Sequence, residues 1–187
     1  MDKETTTTEL WPEASRSEMD EIFQLCRNDD WNRVLHRVKT KPWIAITPMI
    51  MDNHIATTVM HQAITSKGST KLRAQLIRQI LTTTPQAAAI KNGYGSLPLH
   101  VIAQRNTKMD APTKESLIFD LVAAHEGALI EEGGVGKRTP LHIIFTGKNR
   151  QNTTLTLFLS NQCAHISIFF FFFIIRLHLT SFDTDDD

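Results

Sequence analysis

The sequence predicts an all-α fold: a solenoid of short helices stacked in pairs and joined by hairpin-like connectors. Three observations predict it. A six-residue pattern recurs as Thr58-Val59-Met60-His61-Gln62-Ala63, Leu97-Pro98-Leu99-His100-Val101-Ile102 and Thr139-Pro140-Leu141-His142-Ile143-Ile144, and self-similarity at a fixed period marks repeat architectures. Between the copies, apolar residues recur at three- and four-residue spacing, the stripe of an amphipathic helix. The segments before the copies carry Pro, Gly and Asn-Gly, which interrupt helices and make turns.

With 187 residues the chain has room for one domain and some tail. Its apolar and charged fractions, 41% and 21%, are those of an ordinary globular protein. Net charge is zero but unevenly placed: residues 1–20 carry −4, residues 176–187 carry −3, and the middle carries +7. The basic residues of the middle are scattered, so no nucleic-acid partner is expected. Cys26 and Cys163 cannot form a disulfide framework of the secreted kind. The polar start, Met1-Asp2-Lys3-Glu4 and four threonines, is not a signal peptide. A cytoplasmic or nuclear protein is expected.

Residues 1–16 are polar, acidic and Thr-rich and read as disordered. Ser17 is the expected cap of a first helix carrying Ile22, Phe23, Leu25 and Cys26. Asp30 caps a second, with Trp31, Val34, Leu35 and Val38 on one face, which Pro42 stops; together they make an αα-hairpin. Trp31 is assigned to the core. Lys41 to Ile55, with Pro42 and Pro48, reads as an irregular connector.

Thr58 opens the next helix (Val59, Met60, Ala63, Ile64). After Lys67-Gly68-Ser69, Ser69 or Thr70 caps the strongest amphipathic helix. It has Leu72, Leu76, Ile77, Ile80 and Leu81 inward, with Lys71, Arg73, Arg78 and Gln79 outward. Thr82 to Pro85 ends it. In the connector Gln86–Ser96, Asn92-Gly93 predicts a tight turn with positive φ at both residues. Leu97 to Gln104 is a short helix and Asn106 to Lys114 a polar loop. Thr113 starts a partner helix with Leu117, Ile118, Leu121 and Val122 inward, which Gly127 ends. Ile130 to Arg138 is a third connector; Thr139 then opens a helix over Leu141–Phe145, with Thr153–Ser160 as a weak partner.

Each hexapeptide opens a short helix followed by a loop and a longer helix, with successive histidines 39 and 42 positions apart. Thr139 accepts from a free amide of the first turn, an effect of roughly 1 kcal/mol. Pro140 at the first helical position loses no needed donor, and Leu141 points into the core. The pattern resembles the helix-opening signature of the ankyrin repeat, Thr-Pro-Leu-His-x-Ala. Thr139-Pro140-Leu141-His142 departs from it only at Ile144. Pro98-Leu99-His100 lacks the threonine, and the first copy keeps Thr58, His61 and Ala63. The resemblance covers residues 20–160; the units exceed the family's length of about 33 residues, with the surplus in loops. It implies that the histidines tie the threonine or a neighbouring loop by hydrogen bonds. It also implies that the protein is an interaction scaffold without catalytic activity.

On that reading residues 17–160 are the repeat domain, and hairpin tips hold an unidentified protein partner. Tyr94 is the leading contact candidate, with Lys137 and Arg138 at the next tip. No cofactor, metal or small-molecule ligand is expected. Gly133-Gly134-Val135-Gly136-Lys137-Arg138 superficially evokes a phosphate loop, but Glu131 stands where that loop needs glycine, and Arg138 where it needs Ser or Thr. His61, His100 and His142 would lie one repeat apart, roughly 10 Å, too far to share one ion. No hydrolase motif is present, so an enzyme is the weakest rival. Residues 161–187 form an atypical tail, Phe-rich and then acidic. The apolar run Ile168–Ile175 is eight residues, against roughly 20 for a membrane span. A membrane-tethered adaptor using residues 166–179 is the main alternative, and packing over the last repeat is another. The favoured reading is that the tail lies outside the evolved fold, as translated non-coding sequence on an array whose later repeats are missing; the transcript sequence tests it.

Overall fold

The computed structural model describes residues 15–51, 55–104 and 107–146, with side chains as far as Ile144. All of them fall in one compact unit, Met1–Gly147. This part of the chain is mostly helical. Helices α1 (Arg16–Arg27) and α2 (Trp31–Thr40) form a first pair. Helices α3 (Val59–Thr65) and α4 (Thr70–Thr83) form a second, and α5 (Pro98–Ala103) and α6 (Ala111–Ala124) a third; α7 (Pro140–Thr146) follows. Strands β1 (Met49–Ile50) and β2 (Ala56–Thr57) pair antiparallel, Met49 opposite Thr57. The expected helix Thr153–Ser160, the tail 161–187 and residues 1–14 lie outside the described residues. Among those described, no helix is long and apolar enough to cross a membrane.

The apolar stripes decide the packing. Helix α4 packs on both α2 and α6, while α3 packs on α1 and α5, and α5 on α7. Ile22, Val34, Val38, Val59, Ile64, Leu76, Ile77, Ile80, Leu97 and Leu117 are fully buried between them, with Trp31 1% exposed. Surface ion pairs join neighbouring helices (Glu21–Arg37 at 2.6 Å, Arg78–Asp120 at 2.9 Å), each contributing under about 1 kcal/mol.

Asp30 caps α2 as the sequence predicts, its carboxylate accepting from the Arg33 amide at 3.3 Å. Two other caps differ. Ser15, and not Ser17, caps α1 by accepting from the Glu18 amide. Asp110 caps α6 by accepting from the Thr113 amide at 2.9 Å, and Pro112 sits inside the first turn, where a missing amide proton costs no helical bond. Helix α6 ends at Ala124, ahead of Gly127. The segments after α2, α4 and α6 are ordered 3-10 turns, Pro42–Ala45, Pro85–Ala89 and Glu126–Leu129. Each buries two residues (Ile44 and Ala45, Ala87 and Ala88, Ala128 and Leu129).

Arg73 is the largest correction. Expected on the outer face of α4, it is fully buried. Its guanidinium donates to the carbonyls of Gly68 (3.1 Å), Ala63 (3.0 Å) and Lys108 (2.6 Å), and to the Thr70 hydroxyl at 3.4 Å. One side chain thus joins the end of α3, the α3–α4 turn and the loop before α6. Burial lowers its pKa, opposed by the charges of Asp29 and Asp110.

Candidate functional site

A hairpin stands before each hexapeptide. The first is β1–β2. In the second, the Asn92 amide donates to the Ser96 carbonyl at 2.9 Å, and the Asn92 side-chain oxygen accepts from the amides of Tyr94 and Ser96. That side chain closes the turn itself. The positive φ expected at Asn92-Gly93 is therefore not used; it falls at Gly95 (φ 75°). In the third, Gly133 and Arg138 exchange both backbone bonds at 3.2 Å. The glycine-rich stretch that evokes a phosphate loop is this hairpin. The Gly93 amide donates to the Ala56 carbonyl at 2.7 Å, joining the second hairpin to the first. A Cβ at Gly133 would stand 2.7 Å from the Gly95 carbonyl, so the third rests against the second. The hairpins form a row.

The helix starts hold that row. The Thr58 hydroxyl lies 2.8 Å from His61 Nδ1, and His61 Nε2 lies 3.0 Å from the Ser96 carbonyl at the base of the next hairpin. Leu97 has no hydroxyl, and its backbone amide donates to His100 Nδ1 at 3.2 Å, as the Thr139 amide does to His142 Nδ1 at 3.4 Å. The Thr139 hydroxyl lies 2.8 Å from His142 Nδ1 and accepts from the His142 amide at 3.2 Å. Pro98 and Pro140 occupy the first helical positions, with Leu99 and Leu141 each 1% exposed. Burial pushes the His61 imidazole down to about 4 and lowers His100 and His142 as well. His61 is neutral at pH 7.

Tyr94 is half-exposed at the second tip, and Lys137 and Arg138 are exposed at the third. Sequence reasoning missed three neighbours. Ile50 (51%), Ile130 (55%) and Val135 (92%) are, with Tyr94, the exposed large apolar side chains of the described residues. Val135 lies between two glycines, and an apolar residue in a glycine-rich turn was the signal available. Lys91 and His125 flank Glu131 at 2.6 and 3.6 Å, and the Lys91 ammonium holds that carboxyl below the usual carboxylate range.

Lys137 occupies the register of Gly95, two residues before the helix-start residue, with φ 45°. A left-handed non-glycine costs roughly 1 kcal/mol. Lys137→Gly is expected to raise the melting temperature by a few degrees with an unchanged helical circular dichroism spectrum; a lower melting temperature would contradict the register.

Elsewhere, Cys26 is 1% exposed, and burial with the Asp29 carboxylate pushes its thiol up to about 12, which leaves no thiolate for chemistry. A shallow groove of about 520 Å³ between α1 and α2, bordered by Leu25, Arg33, His36 and Arg37, is crossed by the Glu21–Arg37 ion pair. Among the described residues no group of three or more His, Cys, Asp or Glu could hold a metal ion. No family model matches the chain, and neither the curated proteins nor the solved structures searched contain a match.

Proposed function

We propose that this protein is an interaction scaffold of the ankyrin-repeat type, a solenoid whose hairpin row holds a protein partner, with no catalytic activity of its own. The observation that carries the reading is the placement of Ile50, Tyr94, Ile130 and Val135. The exposed large apolar side chains lie in the connectors and not on the outer helix faces. Tyr is enriched among the residues that dominate binding energy, and apolar side chains exposed in one row of connectors are what a partner would cover. The neighbouring Lys137 and Arg138 add a polar rim. The side-by-side packing of helix pairs supports the solenoid, since in such arrays each unit is stabilised by its neighbours. The protein is expected in the cytoplasm or nucleus. This function rests on likeness to a family, and the site argues it only through its surface chemistry.

Affinity capture on the full chain, followed by the Tyr94→Ala/Arg138→Ala double variant, tests the proposal. A specific partner whose capture falls at least tenfold with the variant is expected. Undiminished capture by a variant that melts like the parent would reject these tips.

A further inference from the structure

We propose that the hairpin row takes an extended acidic peptide, which lies across the tips with an apolar side chain at every third residue and its carboxylates beside the third hairpin. The inference deepens the reading above and rests on the hairpins being the binding face.

Each hairpin presents one large apolar side chain to solvent: Ile50 on the first, Tyr94 on the second and Val135 on the third, 51%, 50% and 92% exposed. All three stand on fixed backbone. Ile50 pairs opposite Ala56 in the β1–β2 ladder. The Gly95 amide donates to the Asn92 carbonyl at 2.8 Å, closing a turn around Tyr94, and the Lys137 amide donates to the Gly134 carbonyl at 3.1 Å, closing one around Val135. Side chains carried on a set backbone lose less freedom on binding. Ile130 belongs to the approach to the third hairpin, where it ends a 3-10 turn as Ile46 and Ile90 do.

The spacing of the tips follows from the helices beneath them. The hairpins precede α3, α5 and α7, and α3 packs on α5 and α5 on α7. Packed helices lie about 8–10 Å apart. An extended chain advances about 3.3 Å per residue, so three residues carry it from one hairpin to the next. A helix is about 10–12 Å across with its side chains and would need apolar surface on both flanks of that line. Each tip offers a single apolar side chain, which suits a thin extended strand.

Charge sets the second requirement. Lys91 and Glu131 neutralise one another across the second and third hairpins at 2.6 Å. Lys137 and Arg138 are exposed and have no ion pair among the described residues, with Glu132 the exposed carboxylate nearest them in sequence. The third hairpin therefore keeps a positive surplus. Opposite charge across an interface fixes register and rejects wrong partners, so carboxylates on the peptide belong at that end of the line.

The test is selection of a random-sequence peptide library, displayed on phage, against the full chain, followed by fluorescence anisotropy of the enriched peptides. Enriched sequences are expected to carry apolar residues three apart, with Asp or Glu at one end. Proline placed between two of those residues should leave affinity within threefold, since an extended chain tolerates it and a helix does not. Tyr94→Ala and Arg138→Glu, in variants that melt like the parent, should each weaken binding at least tenfold. The proposal is overturned if no peptide is enriched over an unrelated protein, if proline abolishes binding, or if Arg138→Glu leaves binding unchanged. The binding face is judged separately. Capture of a partner that falls with the Tyr94→Ala/Arg138→Ala variant, while no such peptide is enriched, rejects the extended peptide and keeps the row as a face for a folded surface.

Discussion

Arg73→Ala is expected to destabilise the protein by about 2–4 kcal/mol, from a buried acceptor left unsatisfied and the packing lost with a buried side chain. The guanidinium is fully buried, and it satisfies three carbonyls drawn from three segments, those of Ala63, Gly68 and Lys108. Truncation leaves the buried Ala63 carbonyl without its donor, frees the half-buried Gly68 and the exposed Lys108 carbonyls to water, and opens a void against α4. Arg73→Lys should recover only part of the loss, because a single ammonium cannot span the fork of acceptors. Urea unfolding followed by circular dichroism reads both variants. An Arg73→Ala protein within 1 kcal/mol of the parent would show that the network contributes little.

Gly133→Ala is expected to cost about 2 kcal/mol, the scale of an overpacked site. The added methyl would meet the Gly95 carbonyl at 2.7 Å and the His100 ring at 2.8 Å. Neither neighbour is the free end of a flexible side chain. Gly136 is the internal control: its Cβ would meet nothing closer than 3.7 Å, from Arg138. Gly136→Ala should therefore leave the melting temperature nearly unchanged, while Gly133→Ala lowers it by several degrees. Equal effects would contradict the packing of the third hairpin on the second.

Much of the helical framework was legible because it is local. Asp30 and the helix breakers announce α2 through bonds made within three or four residues, and Leu117, Ile118, Leu121 and Val122 share one face through spacing alone. The hexapeptides are legible for the same reason: Thr139, Pro140 and His142 act on one another within a single turn. What was hidden depends on partners distant in sequence. Arg73 follows the outward spacing of α4, yet its Lys108 contact comes from 35 residues away, and burial turns a surface cation into a bridge. Asn92-Gly93 carries a strong turn signal, which the Asn92 side chain overrides by accepting two amides. The 3-10 turns after α2, α4 and α6 end on Ile46, Ile90 and Ile130, a recurrence visible in the sequence but masked by the prolines that mark two of them as irregular. Of the contact candidates, Tyr94 was found as an aromatic in a turn. Ile50 and Val135 were not, because a single apolar residue in a connector has no periodicity to say which way it faces.

The central claim is that the hairpin row is the face that meets a partner. Hydrogen–deuterium exchange of the full chain, alone and with its captured partner, tests this most directly. The account predicts that partner binding protects residues 49–51, 91–96 and 130–138 and leaves the outer positions of α2 and α4, around Lys39 and Lys71, unchanged. Protection confined to α2 and α4, with the hairpins exchanging as in the free protein, would contradict it.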